Sequence, residues 1–133
     1  MTESTNFQTR QQQFSQRAYQ QVADRLQQEK DIQEYKSFAK RFPTLIHTCG
    51  LAQSLSFAQA KGKDAYLADL AAVANMTSEG SNAIDSQART AGLPEYMRLT
   101  RLLLSAANWL KRFSEALIPD QAEDEGASDA SVP

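Results

Sequence analysis

A chain of 133 residues fits one domain with a single core and leaves no room for separate catalytic and binding domains. Hydrophobic residues at 41% and charged residues at 23% are ordinary for a soluble globular protein, and no apolar run approaches the roughly 20 residues that cross a bilayer. The formal net charge of −2 hides an asymmetry, because five of the sixteen acids follow Ile118; the rest of the chain holds eleven acids against fourteen bases, about +3.

The first residues, Met1-Thr2-Glu3-Ser4-Thr5-Asn6, carry an acid and neither a basic nor an apolar segment, so no secretory signal is expected and the expected location is cytoplasmic. A first helix is expected over residues 7–28, where Phe14, Ala18, Val22 and Leu26 recur at steps of four as the core side. Arg10, Arg17, Gln21, Asp24 and Gln28 are read as its opposite, solvent or ligand side. A short second helix over residues 32–41 is expected to stop ahead of Pro43, which suits the first turn of a third helix reaching residue 60. With Leu45, Ile46, Cys49, Leu51, Ala52, Leu55, Phe57 and Ala58, that third helix reads as the most buried element.

Lys61-Gly62-Lys63 ends it, since glycine supplies the left-handed geometry of a helix terminus and lysine suits the dipole there. A fourth helix over residues 64–75, a loop over 77–82 and a short fifth helix over 83–91 follow, closed by Gly92. The sixth helix, residues 94–117, has the clearest pattern: Tyr96, Leu99, Leu103, Ala107, Leu110, Ser114 and Leu117 form an apolar stripe. Arg98, Arg101, Ser105, Asn108 and Arg112 lie opposite, with Lys111 beside the seam. The expectation is an all-α, single-domain compact bundle of about six helices with long first and last members, spanning residues 7–118. Residues 1–6 and the acidic stretch 119–133 have little apolar surface to bury and are expected to be disordered.

Catalytic equipment is scarce. Cys49 and His47 are the only cysteine and histidine, which rules out an internal disulfide and a paired-cysteine zinc site. Two residues apart on a helix, they project roughly 200° from one another and form no dyad. The acids Asp24, Asp64, Asp69, Asp85, Glu95 and Glu115 are scattered and read as helix-end or polar-face residues. No enzyme activity, metal or cofactor is expected. The tyrosines Tyr19, Tyr35, Tyr66 and Tyr96 read as amphipathic core-edge residues.

The bases are more informative. Arg98, Arg101 and Arg112 line the last helix, Lys36, Lys40 and Arg41 crowd the second, and Lys61 and Lys63 sit at a turn. Guanidinium groups repeated along a helix can meet successive phosphates without reading sequence. A solvated helix face carries the same residues, so a protein-binding adaptor stands as the alternative, with Leu102 and Trp109 as an exposed ridge that docks a partner.

The run Tyr35-Lys36-Ser37-Phe38-Ala39-Lys40-Arg41-Phe42-Pro43, then Gly50-Leu51-Ala52-Gln53-Ser54-Leu55-Ser56-Phe57 and Tyr66, resembles the small helical subunit of the type III-B CRISPR effector, the Cmr complex. Leu93-Pro94-Glu95-Tyr96-Met97, Leu99-Thr100-Arg101 and Trp109-Leu110-Lys111-Arg112-Phe113 are similar to that family's last helix. The similarity runs from Arg17 to Leu117; Cys49 stands where the pattern often has Asn, and the acidic tail lies outside it. The resemblance implies a non-catalytic subunit of a bacterial or archaeal RNA-guided defence complex. It would stack in a filament against copies of itself and larger subunits that carry the guide RNA, while base pairing reads the target. It further implies that Lys40, Arg41, Arg101, Lys111 and Arg112 face guide or target RNA; the helical stripes add Arg17 and Arg98.

Overall fold

The structure, a computed structural model, describes residues 8–28, 31–76 and 81–120, with residues 81–83 described in backbone alone. The order is α1 (Arg10–Gln28), α2 (Ile32–Cys49), α3 (Leu51–Ala60), α4 (Asp64–Val73), α5 (Ser81–Thr90) and α6 (Leu93–Leu117), with no strand among the described residues. This is the all-α architecture expected, with six helices and a long first and last. The expectations for residues 1–6, for positions 77–80 of the loop and for the tail beyond Asp120 lie outside the described residues.

Local chemistry explains most boundaries. Thr9 and Gln12 form a capping box: the Gln12 N–H donates to Thr9 Oγ1 at 3.0 Å and the Thr9 N–H to Gln12 Oε1 at 2.9 Å. α1 therefore opens at Arg10, later than the residue 7 expected. At the end of α3, Gly62 takes φ +70°, Lys63 N–H donates to Ala58 O and Gly62 N–H to Gln59 O. That is a Schellman ending, in agreement with the Lys61-Gly62-Lys63 run. α4 ends the same way with Asn75 at φ +61° and Met76 N–H on Ala71 O.

The second and third helices differ from expectation. Pro43 lies inside α2, which continues to Cys49, and the break falls at Gly50. A proline in a helix interior forfeits one backbone hydrogen bond, here the one Ala39 O would accept. Phe42, Pro43 and Ile46 are all buried, and their packing outweighs that loss. Gly50 adopts φ +85°, ψ 163°, a region closed to side-chain-bearing residues. Its N–H donates to Ile46 O, and its carbonyl accepts from Ser54 N–H and Ser54 Oγ–H, so one residue finishes α2 and begins α3. The neighbouring α3 turn is completed from α6, where the Tyr96 hydroxyl accepts the Ala52 N–H at 3.0 Å.

The core joins Phe14, Ala18 and Val22 of α1, Phe38, Phe42 and Ile46 of α2, Leu51 and Leu55 of α3, and Leu99, Leu103 and Leu110 of α6. α4 supplies the centre, burying Tyr66, Leu67, Asp69, Leu70, Ala71 and Val73. The apolar pattern points instead to residues 43–60 as the most buried element, but Cys49 and Phe57 there are exposed. Leu26, on the core side of α1 by periodicity, is also exposed.

Two acids expected at the surface are inside: Asp69 is 1% exposed and Asp85 is buried beside Arg89, which donates to it. Asp69 accepts from Arg25 Nη2 at 2.8 Å, from Arg25 Nε at 3.1 Å and from the Tyr35 hydroxyl at 2.6 Å. Tyr35 and Tyr66 are buried rather than at the core edge, and Tyr66 packs edge-on against the rings of Tyr35, Phe38 and Phe42. Burial pushes both phenols well above the ordinary range, with the Asp69 charge adding to the effect. Among the described residues, no helix is long and apolar enough to cross a membrane.

Candidate nucleic-acid interface

α6 presents one buried and one solvent face. Leu99, Leu103, Ala106, Ala107, Leu110 and Ser114 are buried. At helical spacing, Arg98, Arg101, Ser105, Asn108 and Arg112 fall on the opposite side, and all but the half-buried Ser105 are exposed. At 1.5 Å per residue the row from Arg98 to Arg112 extends about 21 Å.

Its cations are not equivalent. Arg98 forks onto Glu95 one turn earlier, Nη2 to Oε2 at 2.7 Å and Nε to Oε1 at 3.0 Å. That pair holds the Glu95 carboxyl below its ordinary range and the Arg98 guanidinium above its own. Both groups are exposed, so the pair is screened and weak, and a polyanion can compete for Arg98. Arg101, Lys111 and Arg112 form no ion pair among the described residues.

Between α1 and α6 lies a hollow of about 480 Å³ lined by Gln11, Ser105, Asn108, Trp109 and Arg112. A smaller one of about 130 Å³, lined by Asn108, Lys111, Arg112 and Glu115, adjoins it through the shared Asn108 and Arg112. Gln11 fixes the first wall: its Nε2–H donates to Ser105 Oγ at 2.9 Å and its Oε1 accepts from Trp109 Nε1–H at 2.7 Å. Trp109 stacks on Phe113 at 5.8 Å, and Phe113 meets Tyr19 edge-on at 5.6 Å. The result is a polar trough with a cation at one end and an aromatic wall. Hydroxyl, amide and guanidinium donors there suit phosphate and ribose oxygens. Glu115 moderates the positive potential at the far end.

A second basic patch belongs to α2 and α3. Lys40 and Arg41 are exposed and line a hollow of about 390 Å³ with Phe38, Phe42, Thr44, Leu45, Thr48 and Phe57. Arg41 lies 6.0 Å and Lys63 5.5 Å from the Phe38 ring, and Lys61 lies 5.6 Å from Phe57. Phe38 and Phe57 stack with centroids 6.5 Å apart. Arg41, Lys61 and Lys63 thus flank an aromatic pair with Lys40 on the rim of the same hollow, Lys63 also lies 3.8 Å from the Glu34 carboxylate, and one member of the pair, Phe57, is 38% exposed. In sequence these cations stand in two separate groups; the fold brings them together.

Arg17 belongs to neither patch. Its Nε–H donates to Val73 O at 3.0 Å and its guanidinium lies 5.6 Å from the Phe14 ring, so it satisfies a carbonyl at the end of α4. Lys36 is also withdrawn: it is buried, and its Nζ donates to Ile118 O and Asp120 Oδ1, each at 2.7 Å. Leu102 and Trp109 are half-buried and packed on the core, so they form no exposed ridge. Among the described residues, the large apolar side chains most open to solvent are Leu93 at 69% with Met97 and Tyr19 at 50% each. Leu93 and Met97 lie one turn apart at the start of α6, a pair that in sequence looks like ordinary helix-start residues.

The model of the CRISPR-associated protein family Cas_Cmr5 matches residues 10–117, from the first residue of α1 to the last of α6. A curated relative, the CRISPR system Cmr subunit Cmr5 of Thermus thermophilus, is 39% identical over an alignment of 115 residues that covers 84% of this chain and 98% of the relative. A crystal structure of a CRISPR-associated Cmr5 family protein from the same organism aligns with a TM-score of 0.78 at 37% identity, covering 84% of this chain and all of that one. The likeness read in the runs 35–43, 50–57 and 93–113 is thereby confirmed in sequence and in three dimensions, and the chain belongs to the Cmr5 family of CRISPR-associated proteins.

Proposed function

We propose that this chain is a non-catalytic small subunit of the type III-B CRISPR effector, the Cmr complex, in the cytoplasm. It stacks with copies of itself and neighbouring subunits and holds the backbone of guide or target RNA on its basic helical surfaces. Membership of the complex is supported by the relative's name as a Cmr subunit. The observation that carries RNA contact is the outer face of α6, where Arg101, Lys111 and Arg112 form no ion pair among the described residues and Arg112, with Lys111 beside it, borders a polar trough. Arg98 joins them once Glu95 is displaced, and Lys40 and Arg41 form a second RNA-facing site. Such interactions are sequence-indifferent and weak for one copy, and they gain strength when stacked copies present many phosphate sites in a row.

A protein-only adaptor has one observation in its favour, the exposed Leu93 and Met97 beside Arg98. One experiment separates the two. In a reconstituted complex, the triple variant Arg101→Glu, Lys111→Glu, Arg112→Glu should assemble normally yet retain less target RNA. Its log-affinity against log-salt slope should fall by roughly 0.7–0.9 for each phosphate no longer engaged. Normal assembly with unchanged retention and slope would reject these α6 sites, and the adaptor would stand if Lys40→Glu, Arg41→Glu also left retention unchanged.

A further inference from the structure

We propose that the hollow between α2 and α3 takes one unpaired nucleotide of single-stranded RNA, its base laid on the Phe57 ring and its flanking phosphates on Lys40, Arg41 and Lys61. This rests on the reading that Lys40 and Arg41 meet RNA, and it adds a base contact to a reading otherwise confined to the backbone.

The hollow offers a flat apolar surface. Phe57, exposed near the end of α3, stacks on Phe38 with an interplanar angle of 11°. Phe38 is buried and meets Phe42 at 5.4 Å and Tyr66 edge-on at 5.3 Å, so the exposed ring extends an aromatic layer that begins in the core. Covering an open ring is favourable. A purely apolar cover would strip water from the cations beside it, at a cost that nothing repays. The occupant that fits therefore brings a π-face and negative charge together, as a nucleotide does.

The charge is available. Of the acids near the rim, Glu34 lies 3.8 Å from Lys63, and Asp120 binds Lys36 at 2.7 Å with Lys40 as a lesser influence. Lys40, Arg41 and Lys61 form no ion pair among the described residues. Lys40, Thr44 and Thr48 follow at steps of four and share one face of α2, all three exposed. The two threonine hydroxyls line the hollow and can donate to or accept from a base edge or a ribose 2′-hydroxyl. A volume of about 390 Å³ is near the lower end of the roughly 300–1,000 Å³ of small-ligand sites. It suits one nucleotide and excludes a duplex, whose base faces are covered by their neighbours.

The test titrates the isotopically labelled full chain, at low salt, with a short single-stranded RNA and with the same ribose-phosphate chain lacking every base. The RNA should bind about 5–150-fold more tightly, the equivalent of one stacked base, and show Overhauser contacts between base protons and the Phe57 ring. Phe57→Leu should erase the difference and Phe57→Trp should keep it, with unchanged Tyr66 and Leu103 signals reporting an intact core. Equal binding of the two chains, or no Overhauser contact with Phe57 in the unsubstituted protein, overturns the base site. In that event, weaker binding of both chains to the variant Lys40→Glu, Arg41→Glu leaves the backbone reading standing, and unchanged binding removes it as well. An acidic peptide of matched charge carrying one tyrosine should bind no better than the base-free chain. If it matches the RNA, the hollow is a protein-docking site and the proposal fails.

Discussion

Replacing Asp69 by Ala should unfold this protein more readily than any comparable change on its surface. The Asp69 carboxylate is 1% exposed and accepts three hydrogen bonds, two from Arg25 and one from Tyr35. Removing one partner of a buried ion pair costs about 3–5 kcal/mol, because the other charge stays desolvated. The Arg25 side chain is 21% exposed and recovers some hydration, which places the expected loss near the lower end, about 3 kcal/mol. Tyr35→Phe removes a single bond to a charged acceptor and should cost about 1.5–3 kcal/mol. Because the two variants share that bond, the double variant should fall short of additivity by about 1–2 kcal/mol. Urea denaturation of the four proteins, compared at equal m-values, measures all three quantities. A loss under about 1 kcal/mol for Asp69→Ala would show that desolvation cancels the attraction, as in some buried pairs, and that the network does not hold the fold together.

The same residue sets a pH signature. Burial raises the Asp69 carboxyl above its ordinary value even though Arg25 and Tyr35 pull it down. Between the unfolded value, about 3.9, and that raised value the folded state binds more protons, so stability falls as pH rises through the window. Asp69→Asn should lack this slope in urea midpoints taken across the same range. Asp120 is the opposite case: Lys36 and then Lys40 depress its folded value. Its contribution is present above the unfolded value and is lost as pH falls through the depressed one, a loss that Asp120→Asn should abolish. Gly50→Ala should cost about 1–3 kcal/mol from backbone strain at φ +85°, read by thermal melting, since a Cβ there meets the Tyr96 hydroxyl only at an ordinary 3.6 Å. Arg17→Gln should cost about 1 kcal/mol through the missing bond to Val73 O while leaving the salt slope of RNA binding unchanged; a shallower slope would return Arg17 to the RNA-facing set.

The amphipathic face of α6 is legible because its two sides are written into one continuous stretch, and the split of Leu99, Leu103 and Leu110 from Arg101 and Arg112 survives in the fold. The α2–α3 break is not, because Pro43 carries the local signal of a helix breaker while buried packing overrides it and Gly50 holds the positive φ. The Arg25, Tyr35 and Asp69 network is hidden by distance, its bonds joining residues 34 and 44 positions apart. A signal does exist: Arg25 lies seven residues after Ala18 and three after Val22, on the core side of α1, and Asp69 interrupts the largely apolar run 65–73 of α4. Arg17 escapes sequence reasoning for the same reason, since its acceptor, Val73 O, lies 56 residues away. The grouping of Lys40 and Arg41 with Lys61 and Lys63 around two phenylalanines depends on how α2 meets α3, which no local pattern encodes.

Whether the outer face of α6 touches RNA is decided by cross-linking. A target RNA carrying photoreactive nucleotides is bound to the assembled complex, irradiated, and its adducts mapped by mass spectrometry of this subunit. Adducts on the segment holding Arg101, Trp109, Lys111 and Arg112 are expected. Adducts confined to other subunits while the RNA channel is fully occupied would take RNA away from this face.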